Sequence, residues 1–392
     1  MLRSLYSGIS GLRSHQTMLD VTGNNIANVN TTGFKAGAVQ FQDTLSQLVK
    51  GAGGADANNA GTNPAQVGLG VLVAGISTNF AQGSAQSTGK SSDMMISGDG
   101  FFITRAGTNG ANQYTRSGAF DFDALGRLVS PDGSFVQGYN AVNGVVADGG
   151  AIGNIQLPLQ AIVPAKVTTS ASVGGNLPSD AVAGTELVRD IPIYDASGAS
   201  RTLSLTFTRT AAGWDVSGDD GLGGTATTAL AYTNGVLTTG GALNVGGIAI
   251  DLSTTTGFAA LTTVSVTGQD GSDAGTLTSY ALSQDGTLVG IFSNGQKQAV
   301  GRIALATFTN PGGLEKNGSS SYSATFNSGA ATISVPGSAG LGKLISGSLE
   351  MSNVDLSQEF TNLIVAQRGF QANARIITTS DSVLEELTNL KR

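Results

Sequence analysis

Residue types that ordinarily carry enzyme chemistry are scarce in this chain. Its 392 residues include no cysteine and one histidine, His15. Disulfides, thiolate metal sites and cysteine nucleophiles are therefore excluded. A Ser-His-Asp relay or a histidine metal cluster has almost no material to draw on. The run from Gly23-Asn24-Asn25 to Gly33 has glycines like those of a phosphate loop but lacks the Gly-x-x-x-x-Gly-Lys-Ser/Thr pattern. Asparagine-rich turn or cap chemistry is the better reading. Gly68-Leu69-Gly70 is a lone Gly-x-Gly and carries almost no nucleotide-binding signal. Asp121-Phe122-Asp123 with Gly126 resembles the start of a calcium loop, without the remaining ligands or the bidentate glutamate. Asp219-Asp220-Gly221 is most simply a turn. Paired carboxylates could support glycosidase-type chemistry, but no spacing selects a pair. His15 falls beside the helical seam described below and is expected on a solvated rim. No catalytic, cofactor-binding or metal-ligating residue is assigned, and the chain is expected to be neither an enzyme nor a cofactor carrier.

What remains is a chain built for packing. Charged residues make up 12%, about half the usual share, while 57 glycines are roughly twice it. Hydrophobic residues at 40% suffice for real cores, so global disorder is not expected. The acidic balance argues against a nucleic-acid surface, and no stretch is long and apolar enough to span a membrane. The opening Met1-Leu-Arg-Ser-Leu-Tyr-Ser-Gly does not read as a secretory signal. The charge is unevenly placed. Residues 146–280 hold eleven acids against four bases, a balance of −7, while the rest of the chain holds sixteen of each. A segment of that kind suits an outer domain held in solvent while neutral parts pack into an assembly.

Both ends read as helices. From Leu2 to Ile26, apolar residues at Leu2, Leu5, Ile9, Leu12, Leu19 and Ile26 follow a heptad seam. Gly8, Gly11 and Gly23 weaken this helix, each by up to about 1 kcal/mol against alanine, so it needs partners. At the other end Ser352-Asn-Val-Asp355 reads as a capping signature. Leu356, Phe360, Leu363, Gln367, Phe370, Ala374, Ile377, Asp381, Leu384 and Thr388 then follow in four-three spacing. Some 35 residues would span roughly 50 Å at about 1.5 Å each. A narrow apolar seam on so long a helix implies a second helix against it, and the economical partner is the first one. The expected assembly interface is therefore Leu5, Ile9, Leu12, Leu19, Ile26, Leu356, Phe360, Leu363, Phe370, Ile377 and Leu384.

Between the ends the period changes to two. Asp93-Met-Met-Ile-Ser97 and Phe101-Phe-Ile-Thr104 read as a hairpin about Gly98-Asp99-Gly100. Pro131-Asp132-Gly133 turns a second hairpin, and Asp285-Gly286 and Asn294-Gly295 are strong hairpin turns. Within the acidic segment, Leu203, Leu205 and Phe207 alternate with Thr202, Ser204, Thr206 and Thr208. That strand pairs naturally with Val188–Tyr194 through Asp195-Ala-Ser-Gly198, and Trp214 is expected in the core. The fold class expected is mainly β with terminal α, in discontinuous nested domains. A helical coiled-coil stalk from both termini carries two antiparallel β-domains of sandwich or barrel type. The stalk takes residues 1–30 and 352–392, a connector 31–70 and 342–351, an inner β-domain 71–145 and 280–341, and an outer acidic β-domain 146–279.

Two segments go beyond pattern. Gly23-Asn-Asn-Ile-Ala-Asn-Val-Asn-Thr-Thr-Gly-Phe-Lys35 and Ser352-Asn-Val-Asp-Leu-Ser-Gln-Glu-Phe-Thr-Asn-Leu-Ile-Val-Ala-Gln-Arg-Gly-Phe-Gln-Ala-Asn-Ala-Arg375 resemble the paired terminal signatures of the bacterial flagellar rod and hook family. Val67–Gly75, Ile96–Phe102, Tyr280–Leu314 and Gly342-Lys-Leu344 resemble its hook branch in the same order. The resemblance covers about the outer thirds of the chain. The large middle segment favours hook over rod, whose proteins are mostly shorter. The opening Leu2-Arg-Ser-Leu-Tyr-Ser-Gly resembles rod proteins as much as hook proteins, and residues 51–66 look like a low-complexity insertion.

The resemblance implies a structural subunit that polymerises into a short, curved, flexible tube, a universal joint coupling rod to filament and transmitting torque. It implies as partners further copies of the chain, the rod, the hook cap, the hook–filament junction proteins and the flagellar type III export apparatus. The location implied is extracellular, in the flagellar hook and basal body, reached without a cleavable signal peptide. The other readings are a distal rod protein and, in a different class, a secreted β-rich adhesin or carbohydrate-active protein.

Overall fold

Long-range strand pairing dominates the computed structural model, which describes residues 2–54, 60–107, 110–159 and 162–389. One helix stands near each end, α1 (Leu2–Ala27) and α2 (Leu356–Asn389), and between them the chain is mostly β. It divides into two compact units. Unit 1 comprises Met1–Leu157, Ala281–Val289 and Ala299–Arg392, and unit 2 comprises Pro158–Tyr280 and Gly290–Gln298.

In unit 1, α1 runs antiparallel to α2, and small residues make the closest approach. A side-chain carbon added at Gly8 would stand 3.4 Å from Ile377, and one at Gly11 would stand 2.7 Å from the Asn373 amide. One at Gly369 would stand 2.5 Å from the His15 ring. These glycines therefore let two backbones come together, as small residues do at close helix contacts, and their intrinsic cost is set against that packing. His15 is half-buried rather than solvated, between Gly369 and the Phe41 ring, whose centroid is 6.0 Å away. The α2 N-terminus is capped by Asp355, whose Oδ1 accepts the Ser357 N–H at 2.8 Å and the Gln358 N–H at 3.3 Å.

After α1 come strands β1 (Gly37–Asp43), β2 (Ser46–Lys50), β3 (Ala65–Gly68) and β4 (Val71–Thr78). β1 pairs with β4 and β2 with β3, both antiparallel. The low-complexity stretch 51–66 thus runs from the end of β2 into β3, with residues 55–59 outside the described ones. β1 and β4 lie against α1. The Asn25 amide clamps the strand by donating to the Gly37 carbonyl at 2.8 Å and accepting the Gly37 N–H at 3.0 Å. Ser10 Oγ accepts the Val71 N–H at 3.2 Å.

The unit 1 core centres on the strand Phe101–Arg105. It pairs with Asn112–Thr115, Phe135–Val142 and Leu305–Thr307. Edge-on aromatic contacts fill it, with Phe101 5.9 Å from Phe308, 6.1 Å from Tyr322 and 5.4 Å from Phe80. The hairpin expected about Gly98-Asp99-Gly100 does not form. Met94–Ser97 pairs with Lys343–Ser346 instead. Met94, Met95 and Ile96 are all buried, which suits a strand covered on both faces rather than a half-exposed hairpin arm. The turn at Pro131-Asp132-Gly133 joins paired strands as expected, with Val129 opposite Phe135.

Unit 2 contains the expected hairpin, Glu186–Tyr194 against Ser200–Arg209, with Leu203, Leu205, Phe207 and Trp214 in its core. Its pairing is not wholly antiparallel. Ser170–Asn176 runs parallel to Ile248–Asp251 and to Thr255–Thr256. The reason is connectivity: a strand entering before a long meander and strands following it can run in one direction, which a tight turn cannot arrange.

Replacing Gly11 by leucine should overpack the α1–α2 contact and cost about 1–3 kcal/mol. Gly23→Ala should stabilise α1 by up to about 1 kcal/mol, because nothing stands within 4 Å of the added carbon. Thermal melts followed by far-ultraviolet circular dichroism should shift in opposite directions; equal shifts would refute the packing role given to Gly11.

Candidate functional site

The two signature segments meet at a dry charge cluster. Lys35 closes the first, and Glu350 lies just ahead of the second. Their side chains are both fully buried and 2.6 Å apart. The carboxylate also accepts the Gly83 N–H at 2.9 Å and faces Arg116, whose Nη1 is 3.6 Å from the second oxygen. Lys35 donates further to the Ala81 carbonyl at 2.8 Å, and Arg116 to the Gly98 carbonyl at 2.8 Å. Burial pulls the Lys35 ammonium below the usual lysine range, against the opposing pull of Glu350. Burial likewise lowers Arg116 and drives the adjoining Tyr322 phenol up to about 12.

The backbone around the cluster explains its residue types. Gly33 has φ +68°, and a side-chain carbon there would lie 2.4 Å from the Ser117 nitrogen, so only glycine lets the loop touch the segment that follows the strand Asn112–Thr115. Its N–H donates to the Glu350 carbonyl at 2.8 Å. A side-chain carbon at Gly83 would lie 2.0 Å from the Met351 carbonyl oxygen. Asn353 finishes the join: its Oδ1 accepts the Ala36 N–H at 2.9 Å, and its Nδ2 donates to the Asn79 and Ala81 carbonyls at 2.8 and 3.0 Å. The asparagine-rich run does turn chemistry, with Asn28 Nδ2 on the Asn24 carbonyl and Thr31 Oγ1 on Asn28 Oδ1.

The arrangement fastens, and its charged groups are already engaged with one another. Among the described residues no three His, Cys, Asp or Glu side chains converge to hold a metal. Asp123 accepts the Leu125 and Arg127 N–H groups and pairs with the Arg127 side chain, while Asp121 pairs with Lys90. Asp219 and Asp220 cap their own turn.

The residues expected at the assembly interface divide into two sets. Leu5, Ile9, Leu12, Leu19, Ile26, Leu363, Ile377 and Leu384 are half-buried, and Leu356, Phe360 and Phe370 are exposed. Further exposed on α2 are Ile364, Val365, Ile376, Val383 and Leu387, so apolar side chains flank the α1 contact on both sides of the helix. The residues of closest helix approach, Gly8, Gly11, Gly369 and Asn373, were not among those expected. A heptad reading counts large apolar side chains and is blind to a contact made by their absence. Lys35 was visible as the end of a signature, but nothing local pointed to Glu350 or Arg116 as its partners.

A family model described as "Flagella basal body rod protein" matches residues 5–35. One described as "Flagellar hook protein FlgE/F/G D1 domain" matches 95–175, and "Flagellar basal body rod FlgEFG protein C-terminal" matches 345–390. Lys35, Arg116 and Glu350 each fall in a different one of these stretches. The matches define the class of flagellar rod and hook proteins. The flagellar hook protein FlgE of Borreliella burgdorferi is 42% identical, with both chains covered in full, and that of Treponema pallidum is 37% identical over the same coverage. The flagellar basal-body rod protein FlgG of Bacillus subtilis is 35% identical, again with full coverage of both. The chain belongs to the flagellar hook protein family.

Lys35→Met should leave the Glu350 carboxylate buried beside Arg116 alone and cost about 3–5 kcal/mol. Adding Glu350→Gln should return part of it. Urea midpoints read both, and an unchanged midpoint for the single variant would remove the cluster's structural role. The raised Tyr322 value makes the folded state hold that proton more tightly than the unfolded chain does. The stability this contributes is complete below the unfolded value of 10 and is lost as pH rises to about 12. Tyr322→Phe should flatten that alkaline decline.

Proposed function

We propose that the chain is a structural subunit of the bacterial flagellar hook that polymerises through its terminal helices into a curved, flexible tube joining rod to filament and transmitting torque. The observation that carries this reading is the apolar surface of α2 that α1 leaves exposed. Within the chain α1 covers one side, through glycines and small residues. To either side of that contact, Leu356, Phe360, Ile364 and Phe370 on one flank and Val365, Ile376, Val383 and Leu387 on the other are each 38–56% exposed. Fully burying such a side chain gains about 1.5–3 kcal/mol, so a helix carrying that many half-exposed ones is built to be covered. Full-length similarity to hook proteins supports other copies of the same chain as the cover.

The terminal helices then form the coiled axial part, the strands of unit 1 surround it, and unit 2 supplies the looser contacts that allow bending. Partners at the two ends of the tube are the rod on one side and the cap or junction proteins on the other, and subunits arrive through the flagellar export apparatus. No helix among the described residues is long and apolar enough to cross a membrane. The rod reading draws on the Bacillus subtilis relative, and the higher identity to the two hook proteins favours hook.

Phe360→Asp should leave the monomer's thermal melt unchanged, because the side chain is exposed there, and abolish tube growth, because assembly would bury an unpaired carboxylate at a cost of several kcal/mol, roughly 3 or more. Electron microscopy of purified protein after induced polymerisation tests this. Normal tubes from the variant would refute the role of α2, and rigid, straight tubes from the natural sequence would favour rod over hook.

A further inference from the structure

Unit 1 contains a cleft of about 580 Å³ whose lining is rich in hydroxyl groups. The signature run ahead of Lys35 supplies Thr31, Thr32 and Phe34. The strand Asn112–Thr115 and its exit supply Thr115 and Ser117, and the turn Gly318–Ser321 supplies three serines. That turn is strained. Gly318 pairs with Ser321, so the two-residue loop between them is Ser319-Ser320, with φ +49° and +55°. Two left-handed residues in succession are what a type I′ hairpin turn demands, and asparagine and glycine are the residues that adopt it readily. Asn317-Gly318 stands directly ahead in the sequence and is not the loop. The chain instead holds two serines in a conformation unfavourable to them, and both line the cleft.

Hydrogen bonds set what the cleft still offers. Thr115 Oγ1 donates to the Ser320 carbonyl at 2.9 Å and Ser321 Oγ to the Gly318 carbonyl at 2.7 Å, which fixes the turn. Thr31 Oγ1 is engaged with Asn28, and Thr32 Oγ1 lies 3.2 Å from Ser117 Oγ. The Ser319 and Ser320 hydroxyls have no partner among the described residues. Lys316 on the same lining donates once, to the Lys35 carbonyl at 3.3 Å, and stands 5.2 Å from the centre of the Phe34 ring. Its ammonium has no carboxylate beside it among the described residues, and two of its three N–H groups remain. Asp132, also on the lining, is engaged: it accepts from Ser130 Oγ and, at 3.0 Å, from Ser134 Oγ. The donors left over are therefore a cation and two hydroxyls, among walls of hydroxyl oxygens that can still accept.

An ammonium without a counter-ion suits a carboxylate. Walls that both donate and accept suit the hydroxyls of a sugar, and Phe34 and Pro131 give its C–H faces apolar contact. The volume lies in the range of organic-ligand pockets and exceeds what one small anion fills. We infer that this cleft is a binding site for an acidic sugar, a hexuronate unit of an oligosaccharide. Lys316 takes the carboxylate, and Ser319 and Ser320 take ring hydroxyls. On this reading the turn keeps its strain because the favoured Asn-Gly pair would place no hydroxyl there. The site lies wholly within one unit of one chain, so it does not depend on the reading of the chain as a tube subunit.

Isothermal titration calorimetry on full-length monomer tests this with digalacturonate as the probe and with maltose, acetate and inorganic phosphate as controls. Digalacturonate should bind at least about tenfold more tightly than any of the three. Lys316→Met should bring its affinity down to that of maltose. Ser319→Asn combined with Ser320→Gly should raise the melting temperature, because the turn relaxes, and should weaken digalacturonate by about fivefold or more. A turn with a structural role alone would gain the stability and keep the affinity. No saturable binding of digalacturonate, equal binding of any control, or undiminished affinity in either variant would overturn the inference.

Discussion

The Lys35–Glu350 pair joins positions 315 residues apart, inside a part of the chain that water does not reach. Closing a loop of that length costs roughly 5 kcal/mol of entropy beyond a constant, and a buried ion pair contributes little net stability to offset it. What the pair contributes is uniqueness. Only one register puts the ammonium, the carboxylate, Arg116 and the Gly83 N–H together, and any slip leaves a charge stranded. The end of α1 lies eight residues before Lys35 and the start of α2 six residues after Glu350. The antiparallel run of the two helices follows from where the chain is fastened.

From that fastening the helices divide their surfaces. The face turned to α1 mixes small and large side chains: Gly369 meets His15 and Asn373 meets Gly11, while Ile376 and Ile377 lie over Gly8. Most of the large apolar residues of α2 flank this contact and stay exposed. Folding of the single chain therefore consumes little of the helix's apolar surface, and assembly has the rest to bury. Had the leucines and phenylalanines been spent on α1, the subunit would have a firmer stalk and less reason to polymerise.

Unit 2 repeats the separation of roles in charge. Its charged residues fall outside 221–250 and 252–269, two runs with no charged side chain. The net charge favours the unit's solubility.

Much of this could be read without coordinates. The apolar period of each end specified a helix, since the sevenfold spacing has no other regular solution. The alternation at Leu203, Leu205 and Phe207 specified a strand and the face it buries, and Asp-Gly and Asn-Gly specified turns. The signatures ending in Lys35 and Arg375 specified the family. All of these are local: a few adjacent residues contain the physics. The Gly98-Asp99-Gly100 hairpin failed because Met94–Ser97 found its partner at Lys343–Ser346, and no local signal outweighs a better-buried distant strand. The same reason hid Glu350 and Arg116 from Lys35, the glycine contact between α1 and α2, and the parallel pairing of Ser170–Asn176. The sequence by itself determined which segments are helix, strand and turn, and what kind of protein they make. Only the tertiary structure decided which charges share a dry site and which apolar side chains stay uncovered, because both depend on groups brought together from hundreds of residues apart.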